Sequence, residues 1–187
     1  MSALPQTPQD TAAETLAAWQ AQAEALRACS QPAGLSRLDQ IRDLSGQQLF
    51  EAMIAGKLPP PPIIETLDFM LMETSPGRAV FQGQPLFRHY NPLGTVHGGW
   101  MATLLDSCVG CAVHSSLPVG KSYTTLELKV NFVKALTEKV PLVRAIGELI
   151  HGGNRVATAE GRLVGPDGTL FAHATTTCLI FDLPTAR

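Results

Sequence analysis

Residues 91–116 of this 187-residue chain, NPLGTVHGGWMATLLDSCVGCAVHSS, restrict its fold more than any other stretch. A turn-rich Asn-Pro-Leu-Gly passes through His97-Gly98-Gly99 into a long apolar segment whose one acid is Asp106. Trp100, Met101, Leu104, Leu105, Val109, Ala112 and Val113 point in nearly every direction on a 3.6-residue wheel, and a helix apolar all round is normally buried. Burying an entire helix requires something to wrap it. A carboxylate inside such a helix must find partners or stay protonated, because an unpaired buried charge is costly.

The wrapping is written downstream, where the period changes to two. In YTTLELKVNFV the spacing predicts Leu126, Leu128, Val130 and Phe132 on one face and Thr125, Glu127, Lys129 and Asn131 on the other. Further strands are predicted over 142–150, 156–164 and 170–181, joined by turns at Gly152-Gly153-Asn154 and Gly165-Pro166-Asp167-Gly168. Before the helix, Leu67, Phe69 and Leu71 alternate with Asp68, Met70 and Met72, and short strands are predicted over 79–82 and 86–90 around a Ser75-Pro76-Gly77 turn. An antiparallel sheet has a face to cover, and the apolar helix covers it. The predicted class is α+β, a curved antiparallel sheet wrapped round one long central helix.

Ahead of this lies a helical extension. Residues 10–29 are rich in helix formers, with Leu16, Trp19, Ala23 and Leu26 on one stripe that needs a surface to dock on. A second helix starts near Ser45, where Ser45 and Gln48 fit a capping box, and stops at Gly56. Pro59-Pro60-Pro61-Pro62 is an extended spacer. The reading divides the chain into an extension over 1–62 and a main domain over 63–187.

Composition narrows the function classes. A net charge of −2 gives no basic field, which argues against nucleic acid as the main partner. No apolar run is long enough to span a bilayer, and the start, MSALPQTPQDTAAETL, lacks a secretory pattern, so the expectation is a cytoplasmic protein with no membrane partner. Cys108 and Cys111 have Cys-x-x-Cys spacing but fall well inside the helix, away from the terminus that activates redox pairs. A zinc site would need a fourth ligand, for which there is no obvious candidate. Small residues for tight helix packing are the plainer reading, and no cofactor or metal is expected.

His-Gly-Gly occurs twice. The copy at 151–153 lies between two strands and reads as a hairpin turn, whereas the copy at 97–99 leads into the helix, whose first N–H groups are free and carry the positive end of the dipole. Gly98 can therefore offer an N–H to a developing oxyanion, or the glycines can simply allow a tight turn against the sheet.

The run Asn91-Pro-Leu-Gly-Thr-Val-His97-Gly98-Gly99, with Asp106 nine residues after the histidine and Thr125-Leu-Glu-Leu-Lys-Val-Asn-Phe132 as the following strand, resembles hot-dog-fold acyl-CoA thioesterases. The nearest branch is the one named for phenylacetic acid degradation, which includes the mammalian thioesterase-superfamily enzymes. The likeness covers residues 67–181 and implies the same sheet around a helix. It implies that Asp106 acts as general base or nucleophile and that the Gly98 N–H polarises the thioester oxygen. It further implies that Asn91 helps place the carbonyl, that His97 lies near the sulfur, and that the Thr125 hydroxyl holds the water. Thr124 is adjacent to Thr125, and a shift of one residue would exchange their faces.

Gly98 and Asp106 are eight residues apart, or about 12 Å along a helix, too far to act on one thioester from a single chain. The expectation is a homodimer with two composite sites, each using Gly98 of one subunit and Asp106 of the other, extending to a homotetramer as a dimer of dimers. Flanking Leu104, Leu105 and Val109 predict a raised Asp106 pKa through desolvation. Lys129, Lys134, Lys139, Arg144 and Arg155 are the cations available to coenzyme A phosphates. Met70, Met72, Trp100 and Phe132 are candidates for an acyl pocket, with core packing the plainer role for each. The competing readings are a non-catalytic acyl-CoA-binding regulator, whose basic DNA-binding helix is missing here, and a hydratase or dehydratase, which uses a different His–acid setting.

Overall fold

The computed structural model describes residues 8–183, with side chains from residue 11 onward. The first seven residues, part of the start read above for a secretory signal, lie outside the described residues, as do the last four. Among the described residues no helix is long and apolar enough to cross a membrane.

Four helices come first: α1 (Pro8–Cys29), α2 (Leu38–Ile41), α3 (Gly46–Ile54) and α4 (Ile63–Leu67). Then come β1 (Phe69–Ser75), β2 (Arg78–Gly83), α5 (Gly98–Ser115), β3 (Lys121–Phe132), β4 (Val143–Gly152), β5 (Val156–Val164) and β6 (Leu170–Asp182). The capping box opens α3 as expected: Ser45 Oγ accepts from the Gln48 N–H, and Gln48 Oε1 accepts from the Ser45 N–H at 2.9 Å. Two expected strand segments are not strands. Leu67 closes α4, where Asp68 ends the helix in the left-handed conformation (φ 52°). Residues 86–90 form a 3-10 turn at Phe87–His89 followed by a single bridge from Tyr90 to Val96. Both runs were too short for period-two spacing to tell a strand from a turn of helix.

The six strands form one antiparallel sheet in the order β1-β2-β4-β5-β6-β3. The chain leaves β2, crosses the inner face as α5, and enters β3 at the far edge. Strands β4, β5 and β6 then fill the gap as a meander. Gly147 of β4 faces Gly161 of β5 across the ladder. A Cβ at Gly147 would collide with the Cys108 backbone, and one at Gly161 would lie 2.7 Å from Val109 and 3.0 Å from the Cys108 sulfur. The paired glycines let the middle of α5 sink onto the sheet, with Leu104, Leu105, Cys108, Val109 and Val113 in its core. Burial pushes the Cys108 thiol well above its ordinary range, so it packs there as a small apolar group.

A bulge in β3 changes the predicted faces. Its register against β6 slips between Thr125 and Glu127, leaving Leu126 as the extra residue, 58% exposed. Tyr123 before the bulge and Leu128 and Val130 after it all pack on the core, and Thr125 turns inward as well. Leu126 therefore does not share a face with Leu128, and Thr125 does not face away from the core. The inserted residue reverses the parity of the alternation.

The extension clasps the sheet from both sides. On the outer face, Ala23 of α1 packs with Met72 and Val80, supported by Leu26, Met70 and Ile146. On the inner side, α3 lies against the end of α5. A Cβ on Gly46 would overlap the His114 carbonyl, and the Phe50 ring meets the His114 ring edge-on at 5.3 Å.

Candidate active site

Asp106 lies on a different face of α5 from the core residues. Ala102, Thr103, Asp106, Ser107, Cys111 and His114 recur at helical spacing as a half-buried stripe, while the remaining large side chains are buried. The helix is thus two-faced rather than apolar all round, and the run of small and polar residues at period 3.6 is the signal that marks the open face. Leu104, Leu105 and Val109, expected to desolvate Asp106, point into the core. Residues one and two apart on a helix point about 100° and 200° apart, so Leu105 and Leu104 face away from the carboxylate, while Val109, three residues on, is itself buried in the core. What reaches Asp106 is Thr125, whose hydroxyl donates to Oδ1 at 3.1 Å across the α5–β3 gap.

The other expected residues gather at the start of α5. His97 is the N-cap: its Nδ1 accepts from the Gly99 N–H at 2.9 Å, and its own N–H is held by the His89 carbonyl at 2.7 Å. A Cβ on Gly99 would press on that imidazole at 2.9 Å, and one on Gly98 would meet the Phe132 ring at 2.9 Å. Packing alone thus accounts for both glycines. The Gly98 N–H, first in the helix, nevertheless has no acceptor among the described residues. Asn91 is folded into its own turn: Oδ1 accepts from the Leu93 and Thr95 N–H groups, and Nδ2 donates to Thr95 Oγ1 at 2.9 Å. One chain therefore carries two clusters, Asn91–His97–Gly98 at the helix start and Asp106–Thr125 about 12 Å further along its axis.

Two further residues belong to the Asp106 surroundings. Burial pushes the Cys111 thiol up to about 12, a hydrogen bond with Tyr123 opposes the rise, and the Asp106 carboxylate adds to it. Burial, then Cys111 and Asp106, raise the Tyr123 hydroxyl well above its usual range. Tyr123 carried no sequence signal, because its place beside α5 depends on strand β3 lying at the edge.

The cations divide. Lys129, Lys134, Lys139 and Arg155 are exposed. Arg144 is not available to a phosphate: it is buried on the outer face of β4, donates to Glu73 (3.0 Å), Gln82 (2.9 Å) and Gln22 (2.7 Å), and lies over the Trp19 ring at 4.6 Å. Period-two spacing puts Arg144 on the outer face but cannot show that α1 covers that face.

Comparison with known proteins bears on the same region. Residues 93–172 match the model of the thioesterase superfamily. A Halobacterium salinarum protein provisionally named an esterase is 34% identical over 94 residues, covering 49% of this chain. The chain spans 60% of the length of that curated relative. A solved structure from Ralstonia eutropha JMP134, provisionally named a thioesterase and described as related to phenylacetic acid degradation, is 30% identical, covers 70% of this chain and 98% of its own, and has a TM-score of 0.63. A Haemophilus influenzae thioesterase at 17% identity (66% of this chain, 85% of that one, TM-score 0.61) shares the fold. Strand order, the helix held against the sheet, and the family match across Gly98, Asp106 and Thr125 agree: the chain belongs to the thioesterase superfamily and has the hot-dog fold.

Proposed function

We propose that the protein hydrolyses the thioester of an acyl- or aryl-CoA to the free acid and coenzyme A, at a site shared between two copies of the chain. The observation that carries this reading is the Asp106–Thr125 pair on the half-buried stripe of α5, beside a strand whose outer edge is unpaired. Strand β3 is 12 residues long and is a sheet edge, with Leu126, Phe132 and Val133 exposed on and just beyond it. A long apolar edge of this kind is satisfied by pairing with a second strand. Antiparallel pairing of β3 with its own copy lays two α5 helices side by side in opposite directions, bringing Gly98 of one chain towards Asp106 of the other. A pairing of such dimers gives the tetramer.

In that arrangement the Gly98 N–H donates to the thioester oxygen as negative charge develops there. Asp106, with Thr125 orienting one carboxylate oxygen, takes a proton from water as the hydroxide oxygen bonds to the acyl carbon. The C–S bond then breaks, its electron pair leaves on sulfur, and the proton held by Asp106 returns to the thiolate. In the alternative, the carboxylate attacks the acyl carbon, expels the thiolate and forms an anhydride that water then hydrolyses to the free acid and Asp106. His97 stands at the sulfur end, and Asn91 braces the loop that presents Gly98. Exposed Lys129, Lys134, Lys139 and Arg155 remain as partners for coenzyme A phosphates.

A subunit-mixing assay tests the shared site. Gly98→Pro, combined with Phe132→Ala to make room for the ring, removes the N–H while keeping a backbone suited to the first helical position. Asp106→Asn removes the base. Each protein alone is expected to be inactive, and a refolded equal mixture should regain about one quarter of wild-type thiol release, since half the dimers hold one intact site. A mixture as dead as its parts would exclude the shared site. Acyl-CoA binding by the wild type without thiol release would favour the non-catalytic binding protein instead.

A further inference from the structure

A cavity lies against α5 at Cys111, on the half-buried side of the helix that also carries Asp106, and the N-terminal extension supplies much of its lining. Cys111, about 7.5 Å further along the axis than Asp106 and about 140° round it, lines its floor. Phe50, Met53 and Ile54 of α3 and Ile64 of α4 form one wall, and Leu71 and Phe81 form the other. The cavity is almost wholly apolar and has a volume of about 130 Å³. Strand β3 and the end of α5 join the two places: Thr125 donates to Asp106, Tyr123 two residues earlier lies 5.3 Å from the His114 ring, and His114 meets Phe50 of the cavity wall at 5.3 Å. An engineered apolar cavity of about 150 Å³ holds one benzene molecule, so the space here suits one ring or a short aliphatic end. Beyond Ile64 and Met70 the lining turns polar: a second hollow of about 250 Å³ shares Ser30, Pro60, Ile64 and Met70 with the first, and Arg27, Glu65, Asp68 and Gln84 edge it. A longer hydrocarbon would have to strip water from those groups.

We infer that this cavity receives the far end of the acyl group whose thioester is cleaved at Asp106. The N-terminal extension, through Met53, and the helix that follows it, through Ile64, then limit the substrate to an aryl-acetyl or short-to-medium acyl group. This inference rests on the thioesterase reading above. The extension is the end wall of a substrate pocket that the sheet and α5 leave open.

The test is thiol release from acetyl-, butyryl-, hexanoyl-, decanoyl-, palmitoyl- and phenylacetyl-CoA by the wild type, by Met53→Trp, which fills the cavity, and by Ile64→Ala, which enlarges it. The wild type should prefer hexanoyl- or phenylacetyl-CoA. Met53→Trp should lower kcat/KM for those two by about tenfold or more while acetyl-CoA stays within about twofold, in line with what one pocket contact discriminates. Ile64→Ala should move the optimum to a longer chain. Acetyl-CoA turnover and thermal unfolding report whether each variant is folded, and the opposite shift in Ile64→Ala decides the matter if Met53→Trp is not. A wild type that prefers palmitoyl-CoA, or an active enzyme whose profile neither variant changes, would overturn the pocket and leave the thioesterase reading standing. No thiol release by the wild type from any member of the panel would overturn both.

Discussion

On the outer face of the sheet the Arg144 guanidinium is closed in: it donates to Glu73, Gln82 and Gln22, and the Trp19 ring covers it. On the inner face the Asp106 carboxylate takes one hydrogen bond among the described residues, from Thr125, and lies on the open stripe of α5 beside β3, an edge strand of the described sheet. An ionised carboxylate can accept about four hydrogen bonds, so Asp106 retains acceptor capacity, whereas each of the three Arg144 guanidinium nitrogens already has a partner in the chain. A charged group whose nitrogens each find a partner within the chain secures one element to another, here α1 to β4. A charged group left partly unpaired at an edge is kept for something that arrives. The two centres lie on opposite sides of the same sheet, and the difference between them separates a structural ion from a chemical one.

The contrast can be broken by mutation. Asp106→Asn is expected to cost about three powers of ten in kcat for thiol release, close to 4 kcal/mol, with little change in urea unfolding. A variant that stays active, or that unfolds instead, would erase the distinction. Arg144→Met should do the reverse, lowering unfolding stability by about 3 kcal/mol through the stranded glutamines and a Glu73 left with Arg78 as its one ion-pair partner among the described residues. Its folded fraction should turn over substrate normally.

A third group sharpens the comparison. His114 ends the Asp106 stripe, yet it is packed between the Phe50 and Tyr123 rings, each 5.3 Å away. Burial lowers its pKa from 6.5 to about 4. The unfolded chain therefore binds the proton first, and stability falls as pH drops from about 6.5 towards 4, by up to about 3 kcal/mol, while being fully present above that window. His114→Phe should flatten this slope between urea titrations at pH 7 and pH 4.5; an unchanged slope would place the acid sensitivity elsewhere. The smallest effect belongs to Thr125→Val, which removes the hydroxyl that orients Asp106 and should slow thiol release by about tenfold, as a hydrogen bond to a charged group warrants. Thr125→Ser should retain most of the rate. Equal loss in both variants would mean that Thr125 matters only for packing.

Much of this was legible in the chain. The capping box at Ser45, the helix after His97, the hairpin at Gly152–Gly153 and the four downstream strands depend on contacts between near neighbours, which propensity and spacing report directly. Asp106 stood out because one acid in an apolar helix is costly wherever that helix goes. Arg144 and Lys129, by contrast, looked alike as cations on predicted strands. The fate of Arg144 depends on Trp19 and Gln22, more than a hundred residues earlier.

The sequence by itself determined the long helix after His97, the four strands that follow it, and the positions of Gly98 and Asp106, since each is a local property of spacing and chemistry. Tertiary structure decided the strand order that puts β3 at the edge, the covering of the outer face by α1, and the parity of β3. A bulge inserts one residue without disturbing the hydrophobicity that alternation reads, so only pairing with β6 shows that Leu126 is the extra residue and that Thr125 turns inward to Asp106.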